Sequence, residues 1–593
     1  MGNRTRRHRS PRSTLVLFTA LVGTALSGLH CSDDSATPAA TPGGTGGSTA
    51  TGGSTAMGGA ASAGKGGASA GSAGAGTGGT MAAGGSAGVG SDGPPAVANP
   101  NVHEVGDTLK GKDVFRFGTF GNEGFWTDAL RLPQGVLQAK FTPVMALKAG
   151  LSVDIDALDM ATQMALAAEL KTDLSPANAP KLNDVMTTVA LINANAVIGV
   201  VAVDTNKDGK LDILAGDKVG LSCALCHAIT DGSVFKLADG GSIGKRVDGP
   251  AAHTLDVGSA IALGTNSKAY FPTLQLQQAD GSTIGRAPTG LTKNSTEAEV
   301  DAYLTNKTFY PVGMFDDTVD GNGNTMHNTP MFRTDLGAPW GSAGEFSKLD
   351  QFANTVYTVL LDPTNLVSPG GKAFLHKVAG AGGDALAADY TEVLAMTNVT
   401  GYPFIEVSGT TMPGDPDGVL GIKVDHQKLV DMNGYLNSLQ APKGMPGDAA
   451  AIAHGRDLFR TTGACTSCHN VDQGKFVPPA IIPMASIFPG DMPKVLAMRD
   501  PPLSPVEDTP GNTFDDKMIV INASLRGLER GAAMPLLLDL ARKPVFLHDN
   551  SVPSLSDLVD PKRGATAAHP FYLMDAKDRA DMVTFLKSLD TGS

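Results

Sequence analysis

Apolar side chains are distributed very unevenly along the 593 residues. One apolar stretch runs from Leu15 to Leu29, directly behind Arg4, Arg6, Arg7, Arg9 and Arg12. Residues 32–100 then carry almost nothing that can be buried. Beyond them the apolar positions return with helical spacing and predict helices at about 158–171, 182–202, 297–305, 346–361, 425–440, 449–461 and 575–589. In the 449–461 segment Ile452, Gly455 and Phe459 stand at i, i+3 and i+7, a small residue and an aromatic on one face. In the last segment Met582, Phe585, Leu586 and Leu589 form the stripe, with Asp575 placed to cap it. The apolar run Val189–Val203 contains Asn193 and Asn195 and is too short to span a bilayer, so it reads as core. The expectation is a mainly α body with loop-rich stretches and no transmembrane helix.

The ends of that pattern divide the chain. Residues 1–31 have the basic start and short apolar stretch of an export signal. The stretch ends at Gly28-Leu29-His30-Cys31, which resembles the lipobox of bacterial lipoproteins and makes Cys31 a site of lipid attachment; ordinary cleavage nearby is the alternative. Residues 32–100 hold 21 of the 73 glycines and read as a flexible Gly/Ala/Ser/Thr tether. The leader's five arginines and the tether's net −2 leave −16 of the formal −13 on residues 101–593. So acidic a body disfavours nucleic acid and favours a basic or uncharged partner. The expected divisions within it are 101–443 and 444–593, with Gly444 and Pro446 marking the linker.

The chemistry lies in the remaining four cysteines. They form Cys223-Ala-Leu-Cys226-His227 and Cys465-Thr-Ser-Cys468-His469, the C-x-x-C-H pattern of covalent c-type haem attachment. Two thiols can add to the vinyl groups on one porphyrin edge, and the adjacent histidine then lies under the iron. A thioredoxin-like pair needs no following histidine. A four-cysteine zinc site would have to join pairs 242 residues apart and would leave both histidines without a role.

Both motifs make the chain similar to cytochromes c, and the resemblance implies two cytochrome c-like haem domains, the first with large loop-rich insertions. In such domains the first and last helices pack together across the haem edge, which matches 449–461 and 575–589 in the second. The segment His548-Asp-Asn-Ser-Val-Pro-Ser-Leu555 further resembles a loop of the dihaem cytochrome c peroxidases and rubber oxygenases, departing at Asn550, where those families have glycine. The wide motif spacing is nearer the rubber-oxygenase branch. The resemblance implies His469 as proximal ligand and His569 as its partner across the iron, with His548 and Met574 as alternatives. For the iron at His227 it implies an open distal face; His253, His327 and His376 are the histidines available to close it. Trp340 reads as an electron relay, a pocket wall or plain core. Lys245 and Arg246 read as contacts to haem carboxylates or as a solvated basic turn.

Two polar loops could hold calcium. Asp204, Asn206, Asp208 and Asp212, with Gly209 at the sixth position, follow the start of an EF-hand loop, but its twelfth position is Ala215 rather than Glu. The alternative is a tight polar turn. Asp316–Asn324 is a weaker case of the same kind.

The function expected from the resemblance is an exported haem-dependent oxidoreductase, of peroxidase or dioxygenase type, in the periplasm or anchored to the outer membrane or cell surface. The iron at His227 would meet peroxide or dioxygen, and the haem at His469 would relay electrons from a redox partner protein. The alternative is a non-catalytic electron carrier with both irons six-coordinate.

Overall fold

In a computed structural model, the residues described are 104–593 except 278–280, 282, 284–286, 316–325, 335–339, 341–345, 347, 411–417, 466–468, 470–480, 484–530, 534–535, 548–551, 565–568, 570 and 591–593. Helices dominate them, and the strands are short. Val200–Val203 pairs antiparallel with Lys218–Leu221, in register Val200 to Leu221. Ala228–Thr230 pairs antiparallel with Arg246–Asp248, with Thr230 opposite Arg246. Ser242–Gly244 lies between Val153–Asp154 and Phe235–Lys236. Among the described residues no helix is long and apolar enough to cross a membrane.

Two apolar clusters organise the body. The larger is built from residues 115–436, with Phe115, Phe125, Phe271, Tyr357 and Tyr390 among its fully buried side chains. The smaller gathers Leu458, Phe459, Phe546, Leu555, Leu573, Met582, Phe585 and Leu586.

Each cluster is closed by a pair of packed helices of the same design. Thr108–Phe117 packs on His426–Ser438, and Ala449–Arg460 packs on Ala576–Lys587. All four start at an aspartate whose carboxylate accepts first-turn amides: Asp107, Asp425, Asp448 and Asp575. At the first crossing a Cβ on Gly111 would overlap the Asp431 carbonyl, and at the second a Cβ on Gly455 would overlap that of Asp581. One turn on, Phe115 meets Tyr435 and Phe459 meets Phe585, each pair with ring centres 5.7 Å apart.

The correspondence extends to the sequence. Gly111-Lys-Asp-Val-Phe115-Arg116 matches Gly455-Arg-Asp-Leu-Phe459-Arg460. Asp431-Met432-x-x-Tyr435-Leu436-x-Ser438-Leu439 matches Asp581-Met582-x-x-Phe585-Leu586-x-Ser588-Leu589. The chain therefore contains one helix-pair frame twice. In the first copy, 105 residues lie between Phe117 and Cys223, so no local pattern links the opening helix to the motif.

Most predicted helices are present: Met160–Glu169, Glu297–Thr305, Leu349–Thr355 running into a π-helical turn at Val356–Leu360, and the three nearest the C-terminus. The helix expected over 182–202 is a correction. It covers only Val185–Asn193. Asn195 then takes a left-handed φ of 51° and its side chain accepts the Ala202 amide at 2.7 Å, turning the valine run into a strand. β-branched residues favour that outcome once a partner strand is present.

Gly111→Ala and Gly455→Ala are each expected to lower stability by about 1–3 kcal/mol through overpacking, despite alanine's better helix propensity. Gly409→Ala, where nothing lies within 4 Å of the added carbon, is expected to be near neutral. Denaturant unfolding of the three variants checks this.

Candidate functional site

The first motif is pinned from several sides. Ser222 Oγ donates to the Arg116 carbonyl at the end of the opening helix, 2.8 Å away, and the Ser222 amide donates to Gly199 O at 3.0 Å. Gly199 is a position that requires glycine: its φ is +77° and a Cβ there would overlap the backbone of Leu225. The motif itself is one helical turn, Ala224–His227, with the His227 amide donating to Cys223 O at 3.2 Å. The chain then returns past it, Gly249 N donating to His227 O at 2.8 Å and Ala252 N to Cys226 O at 2.9 Å.

Cys223 and Cys226 are unjoined thiols, and burial pushes them up to about 11 and about 12. The Tyr357 hydroxyl lies 3.3 Å from Cys223 Sγ and donates to Gly118 O at 3.1 Å.

His227 Nδ1 lies 2.8 Å from the Thr329 carbonyl oxygen. A carbonyl only accepts, so Nδ1 carries the proton and Nε2 keeps its lone pair. Burial holds the imidazole down at about 4, so the ring is neutral near pH 7. A neutral ring with one nitrogen tied back to a carbonyl is the form in which histidine binds a metal.

In the second motif the His469 amide donates to Cys465 O at 2.8 Å. Cys468 lies outside the described residues. The His469 ring stands 6.5 Å from Phe459 of the opening helix and 6.3 Å from His569. Burial, and then the nearby His469, push His569 down to about 4. Its Nδ1 is buried without a hydrogen-bond partner, and its backbone holds a left-handed φ of 54°, a strained state for a non-glycine residue. The carbonyl of His569 is fixed by Arg563 Nη1 at 3.2 Å and by the Phe571 amide at 2.8 Å. Two metal–imidazole bonds of about 2.0 Å, each extended by about 1.1 Å to its ring centre, span roughly 6 Å. The observed separation of the rings fits one iron between them.

The other candidate residues fall as follows. Met574 is 77% exposed, which removes it as a ligand within the cluster. His376 is also at the surface, paired with Asp384 at 2.9 Å, and is removed for the first site. His253 follows the Ala252 that bonds Cys226, and burial holds it at about 4. His327 is buried two residues before Thr329. Trp340 is buried in the larger cluster, which is the plain-core reading. Lys245 is exposed, whereas the Arg246 side chain is buried. Cys31, His548 and Asp316–Asn324 lie outside the described residues.

At the Asp204 loop, Asp204 accepts the amides of Asp208 and Gly209, Asn206 that of Asp208, Asp208 that of Lys210 and Asp212 that of Leu214. Asp217, which the sequence pattern did not single out, closes the loop by accepting the amides of Thr205, Asn206 and Asp212. Among the described residues no group of three or more His, Cys, Asp or Glu side chains could hold a metal ion together.

Sequence reasoning also missed Thr329, Tyr357 and a buried cluster at the first frame. In it, Asp248 Oδ2 accepts from Arg116 Nε and from the Tyr435 hydroxyl, each at 2.6 Å. The paired Gly-x-x-x-Phe-Arg and Asp-Met-x-x-aromatic-Leu segments would have located this cluster's frame.

No family model matches the chain, and no curated protein matches it. Among solved structures it is similar to hydrazine synthase of Kuenenia stuttgartiensis pressurised with 20 bar xenon. The identity is 12% and the TM-score 0.22, over 55% of this chain and 88% of that one. So slight a likeness does not bear on function.

His569→Ala is expected to convert a low-spin ferric signal into a high-spin one, while Met574→Ala leaves it unchanged. Electron paramagnetic resonance of the two variants checks this.

Proposed function

We propose that this chain is an exported dihaem c-type cytochrome with oxidoreductase activity, of peroxidase or dioxygenase type. One haem would be held by Cys223, Cys226 and His227, the other by Cys465, Cys468, His469 and His569. The observation that carries the reading is that the C-x-x-C-H turn occurs twice, each beside a helix pair of the same glycine-crossed design, with the first histidine already in its metal-binding tautomer. The leader and the Cys31 motif support export and lipid anchoring in the periplasm or at the cell surface.

The bound haem would supply one-electron redox chemistry and, where a coordination position is open, a place for peroxide or dioxygen. This chain's residues do the rest. Thr329 O keeps the Nδ1 proton of His227 in place and so fixes the orientation of the ring. His569 closes the second site, which favours electron relay over ligand binding there. Phe459, Phe585 and Met582 exclude water around His469 and His569. The net −16 of the body favours a basic redox partner protein or an uncharged substrate.

One observation favours the electron-carrier reading. His253 is held neutral by burial and follows Ala252, whose amide donates to Cys226 O, so its backbone lies beside the first motif.

The ferric protein is expected to show one high-spin and one low-spin iron by electron paramagnetic resonance, the high-spin component changing on addition of peroxide. Two low-spin irons indifferent to peroxide would reject the enzyme reading in favour of the carrier. Oxygen uptake with polyisoprene, set against peroxide turnover with a reduced cytochrome, separates the two enzyme types.

A further inference from the structure

We propose that Arg246 is a built-in partner for a carboxylate of the haem carried by Cys223, Cys226 and His227. This assignment rests on the reading of that site given above.

The Arg246 side chain is only 3% exposed. Its donors are nonetheless poorly used. Nε stands 3.4 Å from Asp154 Oδ2, an ion pair without hydrogen-bond geometry, and neither Nε nor Nη1 has a hydrogen-bond partner among the described residues. Buried polar groups are ordinarily satisfied, and leaving charged donors unfilled is costly. The two nearby carboxylates leave these donors unfilled. Asp248 is gripped through Oδ2 by Arg116 and Tyr435, which ties it to the helix-pair frame, and its Oδ1 makes no hydrogen bond to Arg246. Asp154 accepts the Asp156 amide through Oδ1 at 3.1 Å and offers only Oδ2 to the guanidinium. The Phe117 ring covers the guanidinium, its centre 5.4 Å from Cζ, so the group is also held in place by stacking.

The backbone sets this guanidinium, paired in charge with Asp154 but short of hydrogen bonds, beside the motif. Arg246 is opposite Thr230, on a strand that begins at the residue after His227. Three residues further on, Gly249 donates to the His227 carbonyl. Phe117 ends the helix whose Arg116 carbonyl takes the hydroxyl of Ser222, next to Cys223. Arg246 is therefore bracketed by the two segments that hold the attachment turn. A planar guanidinium takes a carboxylate through two parallel bonds, and haem brings two carboxylates to its site. A buried positive charge there also favours the ferrous state, because it offsets the negative charge gained on reduction.

The test uses full-length holoprotein carrying Arg246→Gln or Arg246→Lys, with haem counted by pyridine haemochromogen and both potentials read by spectroelectrochemical titration. Both variants are expected to keep two haems. In Arg246→Gln the reduction equilibrium of the His227 haem should fall about tenfold, a shift of about 59 mV for one electron. Arg246→Lys, which keeps the charge but loses the fork, should shift less. The His469 haem should not move. Two bound haems with an unmoved potential at His227, or an equal shift at both haems, would overturn the assignment. Should the Gln variant fail to fold, the Lys variant decides through the propionate bending bands in resonance Raman: a change in the bands of the His227 haem supports the contact, and unchanged bands reject it. Wild-type protein with no haem on the first motif would end the reading of the site as well, and the haem count tells that failure from this one.

Discussion

The close crossing of two helices at a glycine is the constraint on which both candidate sites depend. At Gly111 and again at Gly455 the backbones approach until no side-chain carbon fits, and an aromatic pair one turn away fills the wedge that opens beyond the crossing. The contact fixes the opening helix against the closing one, and each C-x-x-C-H turn is then hung from the opening helix. Ser222 ties the first turn to Arg116, and Phe459 stands against the His469 ring in the second. A frame that holds so tightly tolerates long additions elsewhere, because loop-closure cost rises only slowly with length. The first copy accordingly accommodates two large insertions, one before and one after its motif.

Those insertions make the two sites different. The first motif gains a surrounding of strands and loops that fixes its histidine tautomer through Thr329, buries its thiols, and brings Tyr357 to Cys223 and Arg246 to its flank. Among the described residues the second is bordered by the smaller apolar cluster and by His569, whose left-handed backbone is held by Arg563 and Phe571 and whose ring centre lies 6.3 Å from that of His469.

Much of this was legible in the chain itself. The spacing of cysteine and histidine pointed to the proposed attachment chemistry, because three side chains within five residues are what one porphyrin edge and one iron would require. The helices at 297–305, 449–461 and 575–589 followed from apolar periodicity, and Asp575 from its capping preference. His569 was expected beside His469 by resemblance, and their ring centres lie 6.3 Å apart, the planes tilted by 51°. What escaped was long-range. The opening helix at Thr108–Phe117 stands 105 residues before its motif, so nothing local connects them. Thr329, Tyr357 and Asp248 act through a carbonyl, a hydroxyl and a carboxylate whose partners are distant in sequence. The helix expected over 182–202 failed because strand pairing with Lys218–Leu221 overrode a run that is equally apolar in either conformation.

The central claim is that both cysteine pairs are consumed in covalent haem attachment. Intact-protein mass spectrometry of the purified chain, after acid–acetone treatment that strips non-covalent haem, tests it most directly. The account predicts a mass greater than that of the processed polypeptide by two haems, falling by one haem when either cysteine pair is replaced. A mass equal to the polypeptide alone, or one lighter only by the hydrogens of two disulfides, would contradict it.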